Sequence, residues 1–319
     1  MRMGHLEDGT WKVQVGFPTD ESGSFTRAAT TFRGHIQAAE PGRHHLYVAL
    51  ACPWAHRTLV ARALLGLGEA IPISVVNPFM GEQGWTFEDA PGVIPDPIHG
   101  ATRLWEVYVA AQSDFTGRVT VPVLWDKQRG TILNNESREI LRMLSTELAP
   151  LGHGRIDLAP EPLRPAIEAA LDAMYEPVNN GVYRSGFAQK QTAYDRAVAE
   201  LFAGLDAWEA RLGASRFLCG DMPTEADICL YTTLFRFDPV YHGHFKCNLR
   251  RVIDYPNLWG FVRDMYQLPG VAAISDLDHC KQHYYRSHVH INPTRIVPSG
   301  PVIDYGSPHG RGAPLLGLG

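Results

Sequence analysis

Long apolar runs are missing from this chain, and so are long runs of one charge. No segment approaches the roughly 20 consecutive apolar residues of a membrane-spanning helix, so no membrane partner is expected. The 319 residues carry a formal net charge of -5 without a basic tract, which argues against a nucleic-acid partner. Cysteine is scarce: Cys52, Cys219, Cys229, Cys247 and Cys280 are an odd number and lie far apart. That pattern speaks against a disulfide scaffold and for reduced thiols in a cytoplasmic protein. No phosphate-binding glycine motif, internal repeat or low-complexity tract occurs. Met1 to Asp8 lacks the apolar core of a secretory leader, so none is expected. What remains is an ordinary globular composition, 45% hydrophobic and 20% charged, long enough for two domains.

The most informative stretch runs from Leu46 to Val60. A short run rich in β-formers stops at Cys52, and a helical pattern begins at once, with Val60, Leu64 and Leu67 on one face. Pro53 suits the first helical turn, where its missing N–H costs nothing. Cys52 is therefore expected where a strand end meets a helix N-terminus, and the unpaired N–H groups and helix dipole there favour a thiolate. Strand, Cys, Pro, helix is the active-site order of thioredoxin-like domains. The fourth position is Ala55, so the turn holds no resolving cysteine and an external thiol must complete any cycle.

Around this stretch the pattern reads βαβαββα. Residues 1–44 form an extended N-terminal arm. The α/β domain spans 45–148, with a strand at His45–Leu50, a helix at Pro53–Leu67 and a strand near Ile71–Val76. A long insertion at 77–101 is marked by Asn77-Pro78, Gly81, Gly84, Pro91-Gly92, Pro95 and Pro97. A helix at 104–110, strands at Val119–Trp125 and Thr131–Asn134, and a helix from about Glu136 follow. A Pro/Gly-rich linker covers 149–165. An all-helical domain covers 166–286, with helices near 165–178, 189–212, 224–236 and 256–267. Thr224 and Asp227 approximate a capping box before the third of these. A Pro/Gly-rich extended tail covers 287–319.

Two further segments can complete a site around Cys52. Val121-Pro122-Val123 puts a proline at a strand start. Such a proline is either ordinary, or cis and exposing backbone groups that pair with an extended peptide. Asn134-Asn135-Glu136-Ser137 enters a helix, serving either as a plain N-cap or as a carboxylate-binding entry. Their order on the frame points to a small peptide with a thiol and a carboxylate, such as glutathione.

The chain resembles the glutathionyl-hydroquinone reductases, the Xi class of the glutathione transferase superfamily. The likeness is carried by Ala51-Cys52-Pro53-Trp54-Ala55-His56-Arg57, Val119 to Asp126, Asn134 to Ser137, Asn180-Gly181-Val182-Tyr183, Lys281 to Tyr285 with Ser287-His288, and Ile291 to Pro298. It runs from about Trp11 to Pro301. The resemblance implies a thioredoxin-like domain followed by an all-helical one, and a homodimer formed through the latter. It implies glutathione as co-substrate and no metal. It makes Cys52 the nucleophile and puts Trp85, Arg118, Val121, Glu136 and Ser137 on glutathione. It places Tyr183, Tyr241 and Tyr284 around the aromatic substrate, with Tyr183 and Tyr284 catalytic. Under this reading the Cys52 thiolate takes the glutathionyl group from a glutathionyl-hydroquinone, and a second glutathione releases it as glutathione disulfide.

Two alternatives stay open. One is an omega-like thioltransferase or dehydroascorbate reductase, and the other is a non-catalytic glutathione-binding stress protein. Asp278, His279, Cys280 and His283 have a spacing that can hold a metal, but a polar helix face is expected there. His56 is expected to be solvated, and Cys229 to be a buried, inert thiol.

Overall fold

The structure, a computed structural model, describes residues 2–15 and 17–315. It opens with a hairpin that the sequence reading treats only as extended arm. β1 (Arg2–Glu7) and β2 (Thr10–Val15) pair antiparallel from Arg2↔Val15 to Glu7↔Thr10. Asp8 and Gly9 turn it with φ of 46° and 71°, the positive pair that a two-residue hairpin of this hand requires. Leu6 exchanges backbone hydrogen bonds with Gly117, which ties the hairpin to the α/β frame.

That frame is a four-stranded sheet. β3 (His44–Val48) leads into α1 (Pro53–Leu64), then β4 (Ile73–Val75), α2 (Leu104–Ala111), β5 (Val123–Asp126), β6 (Thr131–Asn134) and α3 (Ser137–Ser145). The strand order is β4-β3-β5-β6. β3 runs parallel to β4 and antiparallel to β5, and β5 is antiparallel to β6. All residues of β3 and β5 are buried, so both faces of the sheet's centre are covered. This is the expected thioredoxin-like order, with α1 three residues shorter at its C-terminus than the pattern suggests. Arg43 grips Asp126 with both nitrogens at 3.0 and 2.7 Å, fixing β5 at the start of β3.

The remaining helices are α4 (Arg164–Met174), α5 (Gly181–Gly186), α6 (Gln191–Ala214), α7 (Glu225–Leu234), α8 (His242–His244), α9 (Pro256–Tyr266) and α10 (Leu277–Ser287). Every residue of α7 is buried. Its capping box is complete: Asp227 accepts from the backbone and hydroxyl of Thr224, both at 2.8 Å. Burial pushes the Asp227 carboxyl up to about 6 despite these bonds.

The described residues group into two units that are discontinuous in sequence. One takes the N-terminal hairpin, Ala28–His153 and Asp278–Val297; the other takes Pro18–Arg27, Gly154–Leu277 and the tail from Pro298. α10 therefore belongs with the α/β frame, not with the helical residues 166–286 among which the sequence places it. The arm, too, is divided after Phe17. Gly152, at the end of the first unit, is a place where no side chain fits. A Cβ there would lie 1.9 Å from the Leu65 carbonyl oxygen.

Beyond Pro298 the tail has no helix or strand among the described residues, yet it is fastened. Tyr305 donates to the Phe235 carbonyl at 2.9 Å. One Arg311 nitrogen donates to the carbonyls of Leu212, Ser215 and Arg216 at 2.9, 2.7 and 2.8 Å, capping the end of α6.

Candidate active site

Cys52 is the N-cap residue of α1, with φ -83° and ψ 122°. Its carbonyl accepts the first helical bond from His56 at 2.9 Å, and Pro53 fills the first helical position. The thiol is half-buried, whereas Cys219, Cys229, Cys247 and Cys280 are buried; none of the five is in a disulfide. Its Sγ lies 3.7 Å from the Val121 carbonyl oxygen. The Val121–Pro122 bond is cis, at the residue before β5 begins. Because β5 pairs with β3 at Tyr47↔Val123, the sheet carries Val121 to the cysteine turn.

The helix entry at 134–137 is built in layers. Asn134 accepts from the Glu136 N–H at 2.7 Å and donates to the Gly34 carbonyl at 3.0 Å. Glu136 caps α3, accepting from the Arg138 N–H at 3.3 Å, and receives the Thr30 hydroxyl at 3.2 Å. Ser137 is buried and receives the Arg57 guanidinium at 3.3 Å; that guanidinium lies 4.4 Å over the Trp54 ring. Arg57 sits on the helix that Cys52 starts, so the two N-terminal turns are linked by a side chain. His56, expected in solvent, is fully buried on α1.

The 77–101 insertion is ordered by its own bonds. Asp96 accepts from the backbone of Ile98, His99 and Ala101 and from the Tyr47 hydroxyl at 2.8 Å. Trp85 is buried within it, stacked on His283 of α10 at 4.7 Å. Arg118 is half-buried in the irregular segment before Val121. Tyr284 is buried on α10, its ring edge-on to His283 at 5.1 Å and to His288 at 5.3 Å.

In the second unit, Tyr183 and Tyr241 come together with ring centroids 6.1 Å apart. Each follows or ends a widened helical turn, Tyr175–Asn179 and Phe237–Tyr241, with a proline at the same place: Tyr-Glu-Pro-Val-Asn and Phe-Asp-Pro-Val-Tyr. Proline cannot supply an N–H to the ordinary ladder, and the bonds shift to Asn180 N to Tyr175 O at 2.7 Å and Tyr241 N to Arg236 O at 3.2 Å. Arg27 lies 4.9 Å over the Tyr183 ring and donates to Asn180 at 3.2 Å. Tyr284 is not in this unit, so the three tyrosines do not share the helical domain as the sequence reading assigns them.

Residues 51–147 match the glutathione S-transferase N-terminal domain and 191–264 its C-terminal domain. The glutathionyl-hydroquinone reductase YqjG of Escherichia coli is 49% identical over 97% of this chain and 98% of its own. The glutathionyl-hydroquinone reductase PcpF of Sphingobium chlorophenolicum is 51% identical over 94% and 96%. A Xi-class transferase structure from Natrialba magadii superposes with a TM-score of 0.91 at 47% identity, covering 97% of both chains. The chain belongs to the Xi class of glutathione transferases.

As a Xi-class chain it carries one half-buried thiol at a helix N-terminus, the backbone carbonyl of Val121 beside it, and a helix entry with a hydroxyl. That set can bind an extended thiol peptide and exchange disulfides. Among the described residues, no group of three or more His, Cys, Asp and Glu side chains can hold a metal ion. His279 and His283 instead bond to the carbonyls of Pro91 and Pro78 at 2.6 and 2.9 Å. The sequence reading did not foresee that these histidines tie α10 to the 77–101 insertion or that Arg57 bonds Ser137. The four-residue spacing of His279, His283 and Ser287 was the available signal.

Proposed function

We propose that this chain reduces S-glutathionyl-hydroquinones to hydroquinones, using glutathione as co-substrate. The observation that carries the reading is the single half-buried thiol of Cys52 at the N-terminus of α1, 3.7 Å from the Val121 carbonyl. It is supported by relatives of about half identity over nearly the whole chain that bear the name glutathionyl-hydroquinone reductase. A related structure, of YqjG from Escherichia coli, is described as glutathione-bound.

In the first step the Cys52 thiolate attacks the sulfur of the adduct. The carbon–sulfur bond breaks, its electron pair stays with the ring carbon, and a phenol supplies the proton that makes the hydroquinone. Sulfur is oxidised, leaving a mixed disulfide on Cys52. In the second step the thiolate of another glutathione attacks the glutathionyl sulfur, and Cys52 leaves as its thiolate. Val121 offers backbone groups to the cysteinyl portion of glutathione. Glu136 and Ser137, at the α3 N-terminus, take the γ-glutamyl end, and Trp85 and Arg118 complete the contact. Tyr183 and Tyr284 deliver the proton and bind the hydroquinone oxygens, with Tyr241 lining the aromatic pocket.

A homodimer through the helical domain and a cytoplasmic location belong to the same reading; five cysteines outside any disulfide suit a reducing compartment. The test is turnover of glutathionyl-menadiol beside dehydroascorbate. Faster reduction of the former supports the reading, and dehydroascorbate reduction alone overturns it.

A further inference from the structure

The 77–101 insertion is held from outside by one face of α10. His279, His283 and Ser287 are each four residues apart, so they form a single stripe. His279 Nε2 bonds to the Pro91 carbonyl at 2.6 Å, and His283 Nδ1 to the Pro78 carbonyl at 2.9 Å. Ser287 Oγ accepts from the Met80 N–H at 3.0 Å. Since a carbonyl only accepts, the proton of each ring is fixed: on Nε2 of His279 and on Nδ1 of His283. Arg286 and Arg295 add guanidinium contacts over the Phe79 ring at 5.0 and 5.5 Å. The insertion is thus anchored several times over.

His283 does something the other anchors do not. Its ring lies nearly parallel to Trp85, at 4.7 Å and 23°. The same ring meets Tyr284 edge-on at 5.1 Å and 78°. It is buried, and its rotation is stopped by the Pro78 bond. We infer that His283 is a positioning residue for the glutathione site, a flat spacer that sets Trp85 and Tyr284 relative to each other. The inference rests on the proposed roles of Trp85 and Tyr284. It goes beyond them by making the two substrate contacts depend on one ring that touches neither reacting atom.

The test separates the ring from the hydrogen bond. His283→Gln keeps a donor for Pro78 and removes the plane; His283→Phe keeps the plane and removes the donor. Glutathione binding is measured by calorimetry, with KM and kcat on a small glutathionyl disulfide and a thermal melt of each variant. The expected result is a dissociation constant and a glutathione KM raised about tenfold in His283→Gln, the scale of one lost aromatic contact. His283→Phe should stay within about threefold of the unaltered protein, and kcat at saturation should hold in both. If His283→Gln does not fold, His283→Leu, which fills the volume without a plane, gives the same comparison. Binding unchanged in the planeless variant, or weakened equally in His283→Phe, overturns the inference. Failure of the unaltered protein to bind glutathione overturns the reading beneath it instead.

Discussion

The Cys52 sulfur lies 3.7 Å from the carbonyl oxygen of Val121, a residue 69 positions away in the chain. The β3–β5 pairing makes this meeting possible, and it brings the thiol of a helix N-terminus to the backbone just before β5. In the proposed binding mode a peptide thiol laid along that backbone meets Cys52 sulfur to sulfur.

One cysteine should therefore account for all thiol chemistry. Burial pushes the Cys247 thiol up to about 12 and raises that of Cys219 as well. Cys280 is directed at the Leu50 carbonyl, and Cys229 is fully buried in α7. Cys52→Ala should abolish turnover, while single replacement of the other four preserves it. Alkylation of the folded protein at neutral pH should label Cys52 alone, with the rest labelled only in denaturant. Peptide mapping after alkylation checks this.

Removing one phenol should act on the aromatic substrate alone. Tyr183→Phe and Tyr284→Phe should slow reduction of glutathionyl-hydroquinones by roughly tenfold to a hundredfold, the effect of one hydrogen bond to a charged transition state. A small glutathionyl disulfide needs no proton on carbon and should react nearly as before. Glu136→Ala should weaken both substrates alike. Equal losses on both substrates in the tyrosine variants would contradict a separate aromatic site. Because Tyr284 sits on α10 with the Cys52-bearing unit, the two tyrosine variants probe separate units.

Acid should destabilise the protein through β3. Burial holds His45 down at about 4 against an ordinary 6.5, so the folded chain refuses a proton that the unfolded chain accepts. The stability this represents is present above pH 6.5 and is lost as pH falls to about 4, up to about 3 kcal/mol. Asp126 adds a second, lower window. Burial opposes its charge, but Arg43 and the N–H groups of Arg129 and Gln128 outweigh that and hold it near 2. Its contribution is full above 3.8 and is lost on the way down to 2. Melting temperatures should drop between pH 6.5 and 4, and His45→Phe should flatten that slope. An unchanged slope would place the acid sensitivity elsewhere.

The tail should matter to stability although it has no regular structure. Arg311→Ala removes the charged cap from the Leu212, Ser215 and Arg216 carbonyls at the end of α6 and should cost about 2–4 kcal/mol. Urea unfolding measures it; a change below about 0.5 kcal/mol would make the tail a surface ornament.

The cysteine turn and the βαβαββα order of elements were readable because their signals are local: an apolar run, a proline, a helical period and turn residues at short spacing. What escaped reading depends on distant partners. The Asp8-Gly9 hairpin lacks a clear alternating pattern on its first strand and is tied to the frame through Gly117. α10 looks like a polar surface helix, since its His279, His283 and Ser287 bond to backbone about two hundred residues away. Pro177 lies inside the expected 165–178 helix and Pro239 beyond the expected 224–236 one, and neither pattern shows the widened turns in which the chain absorbs both on the way to Tyr183 and Tyr241. His56 was misplaced because a polar side chain on α1 gives no sign in the sequence that it is buried.

The central claim is that glutathione passes through Cys52. Its most direct test is intact-protein and peptide mass spectrometry after one equivalent of glutathionyl-menadiol is mixed with enzyme free of glutathione. The account requires release of menadiol together with one glutathionyl group on the peptide containing Cys52, removed when glutathione is added. Menadiol release with Cys52 unmodified, or a glutathionyl group on any other cysteine, would contradict it.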